Sequence, residues 1–256
     1  MICPKVSILT ICYNAVDSIK ETIVSVINQT YANVEYIVID GGSKDGTLDV
    51  IAEYNSKISK IVSEHDNGIY DAMNKGIEYV TGDWCIFMNA GDVFFENDVL
   101  EKVFNQDNSF YDLVYGDAVY RYTKKSIARY VKAKPLNKIV WHMVFSHQSL
   151  FVKSKILKER NFDTKYKFAA DYDMILRCYL EGRKFCYLSI PISTVTVDDG
   201  QTANNSRASD KEVREIKICA DLGVIKSYYD YYIDSLWKFL KGFIINVLPN
   251  KIIIKL

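Results

Sequence analysis

The sequence lacks net charge, C-x-x-C cysteine pairs, a leader-like pattern in its first residues, a long apolar run and the two best-known phosphate loops. Each absence removes a class of protein. Its 256 residues carry 32 Lys+Arg against 32 Asp+Glu, which argues against a uniformly basic nucleic-acid binder and against an acidic disordered tail. The six cysteines, Cys3, Cys12, Cys85, Cys178, Cys186 and Cys219, include no C-x-x-C pair. Neither a zinc ribbon nor a dense disulfide scaffold is expected; reduced, mostly buried thiols are. Met1-Ile2-Cys3-Pro4-Lys5 runs into an apolar strand pattern with no basic n-region and no small-residue cleavage site, so a cytoplasmic location is the expectation. No stretch of roughly 18 uninterrupted apolar residues occurs, and no bilayer-spanning helix is expected. G-x-G-x-x-G and G-x-x-x-x-G-K-[ST] are both missing, which disfavours dinucleotide oxidoreductases and P-loop NTPases.

What is present is an ordinary globular composition, 49% hydrophobic and 25% charged, suited to one folded domain with an appendage. The 19 Tyr and 12 Phe exceed the needs of a minimal core, and rings with a polar tip favour interfaces and sugar or lipid surfaces. The first third alternates strand and helix patterns. Strands are expected at 6–11, 34–39, 59–63 and 84–88, and helices at 16–30, 47–54 and 70–80, with Asp17 as a candidate N-cap. Strands separated by helices of this length mean βαβ units and an open, mostly parallel sheet flanked by helices, an α/β, Rossmann-like arrangement. After Asp117 the pattern changes to a Tyr-, Lys- and Arg-rich hairpin or extended segment at 120–131, an apolar strand within 140–152, a helix at 170–180, and two helices beyond Lys211, the last at 234–248.

In such a sheet, ligands bind beyond the carboxyl ends of the strands. Those ends are polar each time: Tyr13-Asn14, then Asp40-Gly41-Gly42-Ser43-Lys44-Asp45-Gly46-Thr47, then Glu64-His65-Asp66-Asn67-Gly68, then Asn89-Ala90-Gly91-Asp92. Ser43 and Asp45 read as turn and capping chemistry. Asp92, a strand-end carboxylate beside small residues, suits a divalent cation that neutralises a pyrophosphate.

These segments, together with Asp66-Asn67-Gly68-Ile69-Tyr70-Asp71-Ala72-Met73-Asn74-Lys75-Gly76 and Ala170-Asp171-Tyr172-Asp173-Met174-Ile175-Leu176-Arg177, resemble family 2 glycosyltransferases of the A-type nucleotide-diphospho-sugar transferase fold. The resemblance covers about residues 4–200 and implies a division into a donor-binding half at 1–118, an acceptor-binding and catalytic half at 119–205, and C-terminal helices at 206–256. It implies a donor pocket at Thr10, Tyr13, Asp40 and Asp71, with the Asp40 carboxylate accepting the N–H of a uracil-type base. The family's metal-binding D-x-D falls on Asn89-Ala90-Gly91, where both carboxylates are absent. Asp92 is then the expected ligand of Mn²⁺ or Mg²⁺, with Asn89 a neutral contact to ribose or diphosphate, and metal-independent catalysis stays open. The general base of an inverting displacement falls on Asp171, preceded by Ala170 rather than Glu. Asp173, about 200° round the helix, is its rival or a partner of Arg177. His147 and Gln148 fall on the acceptor side.

The implied activity is transfer of a hexose, glucose or galactose, from a UDP-sugar to a sugar on a polyprenyl-pyrophosphate carrier, in O-antigen, capsule or exopolysaccharide synthesis. The expected partners are a nucleotide-sugar donor and a lipid-linked saccharide, with no nucleic acid. The alternative is a catalytically inactive scaffold of the same fold. A tail at 236–256 with four Lys and no acid suits a helix peripheral to the cytoplasmic face of the inner membrane; a core-packing terminal helix and an oligomer interface are the other readings. The overall neutrality hides two opposed halves. Residues 1–117 hold 7 Lys+Arg and 19 Asp+Glu, whereas residues 118–256 hold 25 and 13. A basic second half suits an acceptor carrying pyrophosphate on an anionic membrane face.

Overall fold

The computed structural model describes residues 3–197, 206–220 and 222. Parallel pairing joins β1 (Val6–Cys12) to β2 (Val34–Asp40) and to β4 (Trp84–Phe87), and β2 to β3 (Lys60–Ser63). The chain thus leaves β1 on one side through β2 and β3, then returns to β4 on the other, and this reversal opens a crevice at the carboxyl ends of β1 and β4. β1 is buried along its whole length, and its side chains divide by parity. Ile8 meets Ile19 and Ile23 of α1 (Ile19–Ile27) in one core cluster. Leu9 and Ile11 join Met73 and Ile77 of α3 (Ile69–Tyr79) in the other. The expected helix at 16–30 is shorter at both ends, and its N-cap position is Ser18 without a side-chain cap bond, not Asp17.

The first face is completed by α2 (Thr47–Ala52) and α4 (Val99–Phe104). The second is completed by α5 (Ser154–Arg160) and α6 (Ala170–Leu180). One lock between β1, β2 and the turn before β4 is polar. Glu35 accepts hydrogen bonds from Ser7 Oγ at 2.5 Å, Thr81 N at 2.8 Å, Thr81 Oγ1 at 2.5 Å and Lys5 Nζ at 3.0 Å. Gly82 sits so close that a β-carbon would lie 2.6 Å from Ser7 Oγ and 2.7 Å from the Lys5 carbonyl.

The second half extends the sheet with mixed polarity. β8 (Leu150–Lys153) pairs antiparallel with β4 and with β6 (Leu113–Tyr122). β6 forms the expected hairpin with β7 (Ile127–Val131) and runs parallel to β9 (Phe185–Thr196), which in turn pairs antiparallel with the short β5 (Val93–Phe94). The β6–β9 register slips at Gly116/Asp117, where a β-carbon on Gly116 would approach the Ile190 carbonyl to 2.6 Å. Beyond the slip, β9 carries Thr196 back to the mouth of the crevice. α7 (Ser206–Cys219) closes the outer wall, its Glu212 carboxylate accepting the N–H groups of Lys167 at 2.9 Å and Phe168 at 2.8 Å just before α6. The cysteines are free; Cys12, Cys85 and Cys178 are buried, while Cys3 and Cys219 are exposed. The helix expected at 234–248 and the tail at 236–256 lie outside the described residues.

Candidate functional site

The four polar strand ends converge on one cleft of about 1630 Å³. Tyr13 follows β1, Gly41 follows β2, Asp66 follows β3, and Asn89 to Asp92 follow β4; the opposite wall comes from the second half of the chain. Asn14 takes a left-handed backbone, φ 46°, which asparagine tolerates better than most side chains. There its Oδ1 accepts Lys44 N at 3.0 Å and its own N–H reaches Ser43 Oγ at 2.7 Å, tying the first loop to the second.

Three residues expected in the donor pocket are not among those that line the cleft. Asp40 is fully buried. It accepts the N–H groups of Gly42 at 3.1 Å and Ser43 at 3.0 Å, the hydroxyl of Ser63 at 2.7 Å and that of Ser43, so both its oxygens are engaged by its own loop and by the end of β3. Thr10 is also fully buried; its hydroxyl donates to the Met88 carbonyl at 2.8 Å and meets Tyr36 Oη at 3.0 Å, fixing β1 against its neighbours. Asp71 folds back to accept Asn67 N at 2.9 Å, just ahead of the N-cap residue of α3. The carboxylate that does face the cleft here is Asp66. A β-carbon at position 41 would overlap Asp66 Oδ2 and touch the Tyr13 ring at 3.3 Å, so glycine at 41 is what lets Asp66 and the 63%-exposed Tyr13 share one wall. The absence of a side chain at 41 was the available signal, and nothing in the linear pattern says which neighbour fills the space.

Two further carboxylates reach the cleft, held by adjacent residues. Asp92, 5% exposed, accepts Gln148 Nε2 at 3.0 Å on Oδ2 and Thr196 N at 3.1 Å on Oδ1. Burial pushes its carboxyl up to about 6, against the pull of these two hydrogen bonds. Gln148 also accepts Ser146 Oγ at 2.6 Å, so on the cleft wall it braces Asp92. Asp171, in the first turn of α6, lies 3.2 Å from His147 Nδ1 and accepts Tyr70 Oη at 2.8 Å. Burial would raise its carboxyl, but the imidazole and the phenol outweigh it and hold it below the ordinary value. Burial would likewise lower His147, and Asp171 outweighs it, so the imidazole sits above its ordinary value. Both shifts favour the charged form of the pair. Asp173 points away and meets Arg177 at 2.6 Å.

Asn89 Oδ1 is buried with no hydrogen-bond donor among the described residues, although Asn89 lines the cleft. No group of three or more His, Cys, Asp or Glu side chains converges on a point among those residues. One carboxylate and one orphaned amide oxygen fit a hard cation that fills its remaining positions with diphosphate oxygens and water, as Mg²⁺ commonly does. Asn89 and Asp92 are the residues that would hold it.

The family model described as Glycosyl transferase family 2 matches residues 7–170. A PGL/p-HBAD biosynthesis glycosyltransferase of Mycobacterium bovis is 31% identical over 185 residues, which cover 70% of this chain and 71% of that protein. An uncharacterized glycosyltransferase of Mycobacterium tuberculosis is 32% identical over 194 residues, covering 69% and 70%. Among solved structures, S. aureus TarS 1–349 in complex with UDP-GlcNAc matches with a TM-score of 0.69 at 18% identity, covering 87% of this chain and 69% of that one. The mannosyltransferase PcManGT from Pyrobaculum calidifontis in complex with GDP-Man and Mn²⁺ gives 0.67 at 17% identity, covering 87% and 66%. At these identities the two structures establish the fold, and the cleft lies where that fold opens.

Proposed function

Because the chain belongs to glycosyl transferase family 2 and has the A-type fold, we propose that it is an inverting hexosyltransferase that uses a UDP-sugar and a saccharide carried on polyprenyl pyrophosphate. The observation that carries this reading is Asp171, a carboxylate held ionised by His147 and Tyr70 on the wall of the same cleft into which the four strand ends open. In a single displacement, the acceptor oxygen attacks the anomeric carbon as the bond to the diphosphate breaks. The hydroxyl proton needs a base on the acceptor side, and a positioned carboxylate supplies it.

On the donor side, Asp66 replaces Asp40 in the reading of the base. Its carboxylate accepts the ring N–H of uracil while Tyr13 lies against the ring face. Asn89 and Asp92 would hold a divalent cation, and the bound cation would offset charge on the diphosphate. Their own task is to keep one ionised oxygen and one amide oxygen pointed at the space between base pocket and Asp171. At the other end Lys134, His142, Lys167, Arg214 and Lys217 line the cleft, a basic wall suited to a phosphate-bearing acceptor. Peripheral contact with an anionic membrane face belongs to the same reading. Among the described residues, no helix is long and apolar enough to cross a membrane.

The test supplies a panel of UDP- and GDP-hexoses with a synthetic polyprenyl-pyrophosphate saccharide and reads the anomeric configuration of the product by NMR. Transfer from a UDP-hexose with inversion is expected. A retained configuration overturns the single displacement, and transfer from GDP-hexoses alone overturns the uracil assignment.

A further inference from the structure

Glu21, in α1, and Arg121, in β6, stand one hundred positions apart and meet on the cleft wall beside Gly91. The guanidinium grips the carboxylate with two parallel bonds, Nη1 to Oε2 at 3.0 Å and Nη2 to Oε1 at 2.6 Å. Its back is fixed as well: Nη2 lies 2.8 Å and Nε 3.2 Å from Thr196 Oγ1, and Nη2 lies 3.2 Å from the Gly91 carbonyl. Both side chains line the cleft and remain partly open to it, 31% for Arg121 and 41% for Glu21.

An ion pair this accessible adds little to stability, so it is a weak candidate for a fold staple. The anchoring bonds say more. Thr196 also donates its backbone N–H to Asp92, and Gly91 stands where the D-x-D pattern would place its second carboxylate. A positive fork is therefore fastened to the part of the site that has lost negative charge. Guanidinium presents to a phosphate the same two-donor edge that it presents to a carboxylate. The Glu21 carboxylate takes up the edge that a phosphate would otherwise engage.

Resting on the reading of the cleft as a nucleotide-diphosphate site, we propose that Arg121 binds the donor diphosphate and that Glu21 is its counter-ion, giving up the guanidinium edge to phosphate oxygens when the donor enters. During transfer, the bond from the anomeric carbon to the diphosphate oxygen breaks and its electron pair stays on that oxygen. The acceptor oxygen bonds to the same carbon, and its proton goes to Asp171. The departing diphosphate gains one negative charge, which Arg121 offsets while keeping its own protons. Glu21 holds the guanidinium in place in the empty cleft and competes with weaker anions.

The experiment titrates inorganic pyrophosphate, UDP, GDP and uridine into the full chain and its Arg121→Gln, Arg121→Lys and Glu21→Gln variants, with Mg²⁺ present throughout. Arg121→Gln is expected to weaken pyrophosphate and UDP by about tenfold or more while leaving uridine within about twofold. Arg121→Lys, which keeps the charge but loses the fork, falls between and serves where the glutamine variant does not fold. Glu21→Gln is expected to tighten UDP. Unchanged UDP affinity in Arg121→Gln overturns the assignment and leaves the donor reading standing; so does a Glu21→Gln variant that loses as much affinity as Arg121→Gln, since the pair is then a structural clamp. An unaltered chain that binds pyrophosphate but neither UDP nor GDP overturns the nucleotide donor, and the loss for Arg121→Gln is then read on pyrophosphate. Binding none of these overturns both.

Discussion

His147 Nδ1 lies 3.2 Å from Asp171 Oδ2, and its sequence neighbour Gln148 holds Asp92 Oδ2 at 3.0 Å. One dipeptide thus fixes the carboxylates on both sides of the cleft. Each is constrained by a partner whose hydrogen bond favours its ionised form.

Asp171→Asn removes the proton acceptor but keeps the volume. Turnover is expected to fall by about 10²–10⁴-fold, while UDP affinity, measured by calorimetry, stays within about twofold of the unaltered chain. Loss of UDP binding with undiminished turnover per bound donor would remove Asp171 from the base role.

The His147–Asp171 pair gives activity and stability different pH dependences. Asp171 is ionised well below neutrality, so its own titration lies under the working range. His147 loses its proton somewhere above its ordinary 6.5, and that removes the positive charge that weakens Asp171 as a base. kcat/KM should therefore rise with pH through this region, and His147→Asn should flatten the rise. For stability the sign differs. The Asp171 contribution is complete above 3.8 and fades as pH falls through its lowered folded value; the His147 contribution is complete below 6.5 and fades as pH rises through its raised one. Urea midpoints across pH should show the unaltered chain's advantage over His147→Asn shrinking on the alkaline side.

Asp66→Ala and Asp40→Ala separate reading from scaffolding. The first is expected to cost about tenfold or more in UDP affinity with little change in melting temperature. The second strips three hydrogen bonds from the loop after β2 and one from Ser63 of β3 and should lower the melting temperature by several degrees, about 1–3 kcal/mol of stability. A reversed pattern in paired calorimetry and thermal melts would return the base contact to Asp40.

Glu35 tests the polar lock under the sheet. Burial raises its carboxyl, but the bonds from Ser7, Thr81 and Lys5 outweigh this and bring it down to about 2. Its stabilisation is present above the ordinary 4.5 and is lost as pH falls through about 2. Glu35→Gln should lower urea stability at pH 7 by about 1–3 kcal/mol, and the difference should close at acid pH. A difference independent of pH would show that shape, not charge, is what the lock needs.

What could be read from the sequence was periodic or adjacent. Apolar alternation and the 3.6-residue pattern placed β1, β2, β4, α3 and α6 because each is buried by its own side chains, and the polar residues after each strand marked the crevice because a parallel sheet points its ends one way. Asp173 pairing with Arg177 was one of the readings that helix spacing offered, and the structure has that pair. The short β5 and the long, half-buried β9 carry weak patterns, and their partners set them. Which carboxylate faces the cleft was also beyond the sequence. Asp40 and Asp66 both follow apolar strands, and only the turn that wraps Asp40 in hydrogen bonds, with the vacancy left by Gly41, turns one inward to the loop and the other outward to the cleft. The contacts of Asp171 with Tyr70, of Asp92 with Thr196 and of Glu21 with Arg121 each span about a hundred residues. Composition and spacing decide which segments become strands and helices, since those are local free energies; which charges meet depends on how the finished sheet and its helices stack, and no local pattern encodes that.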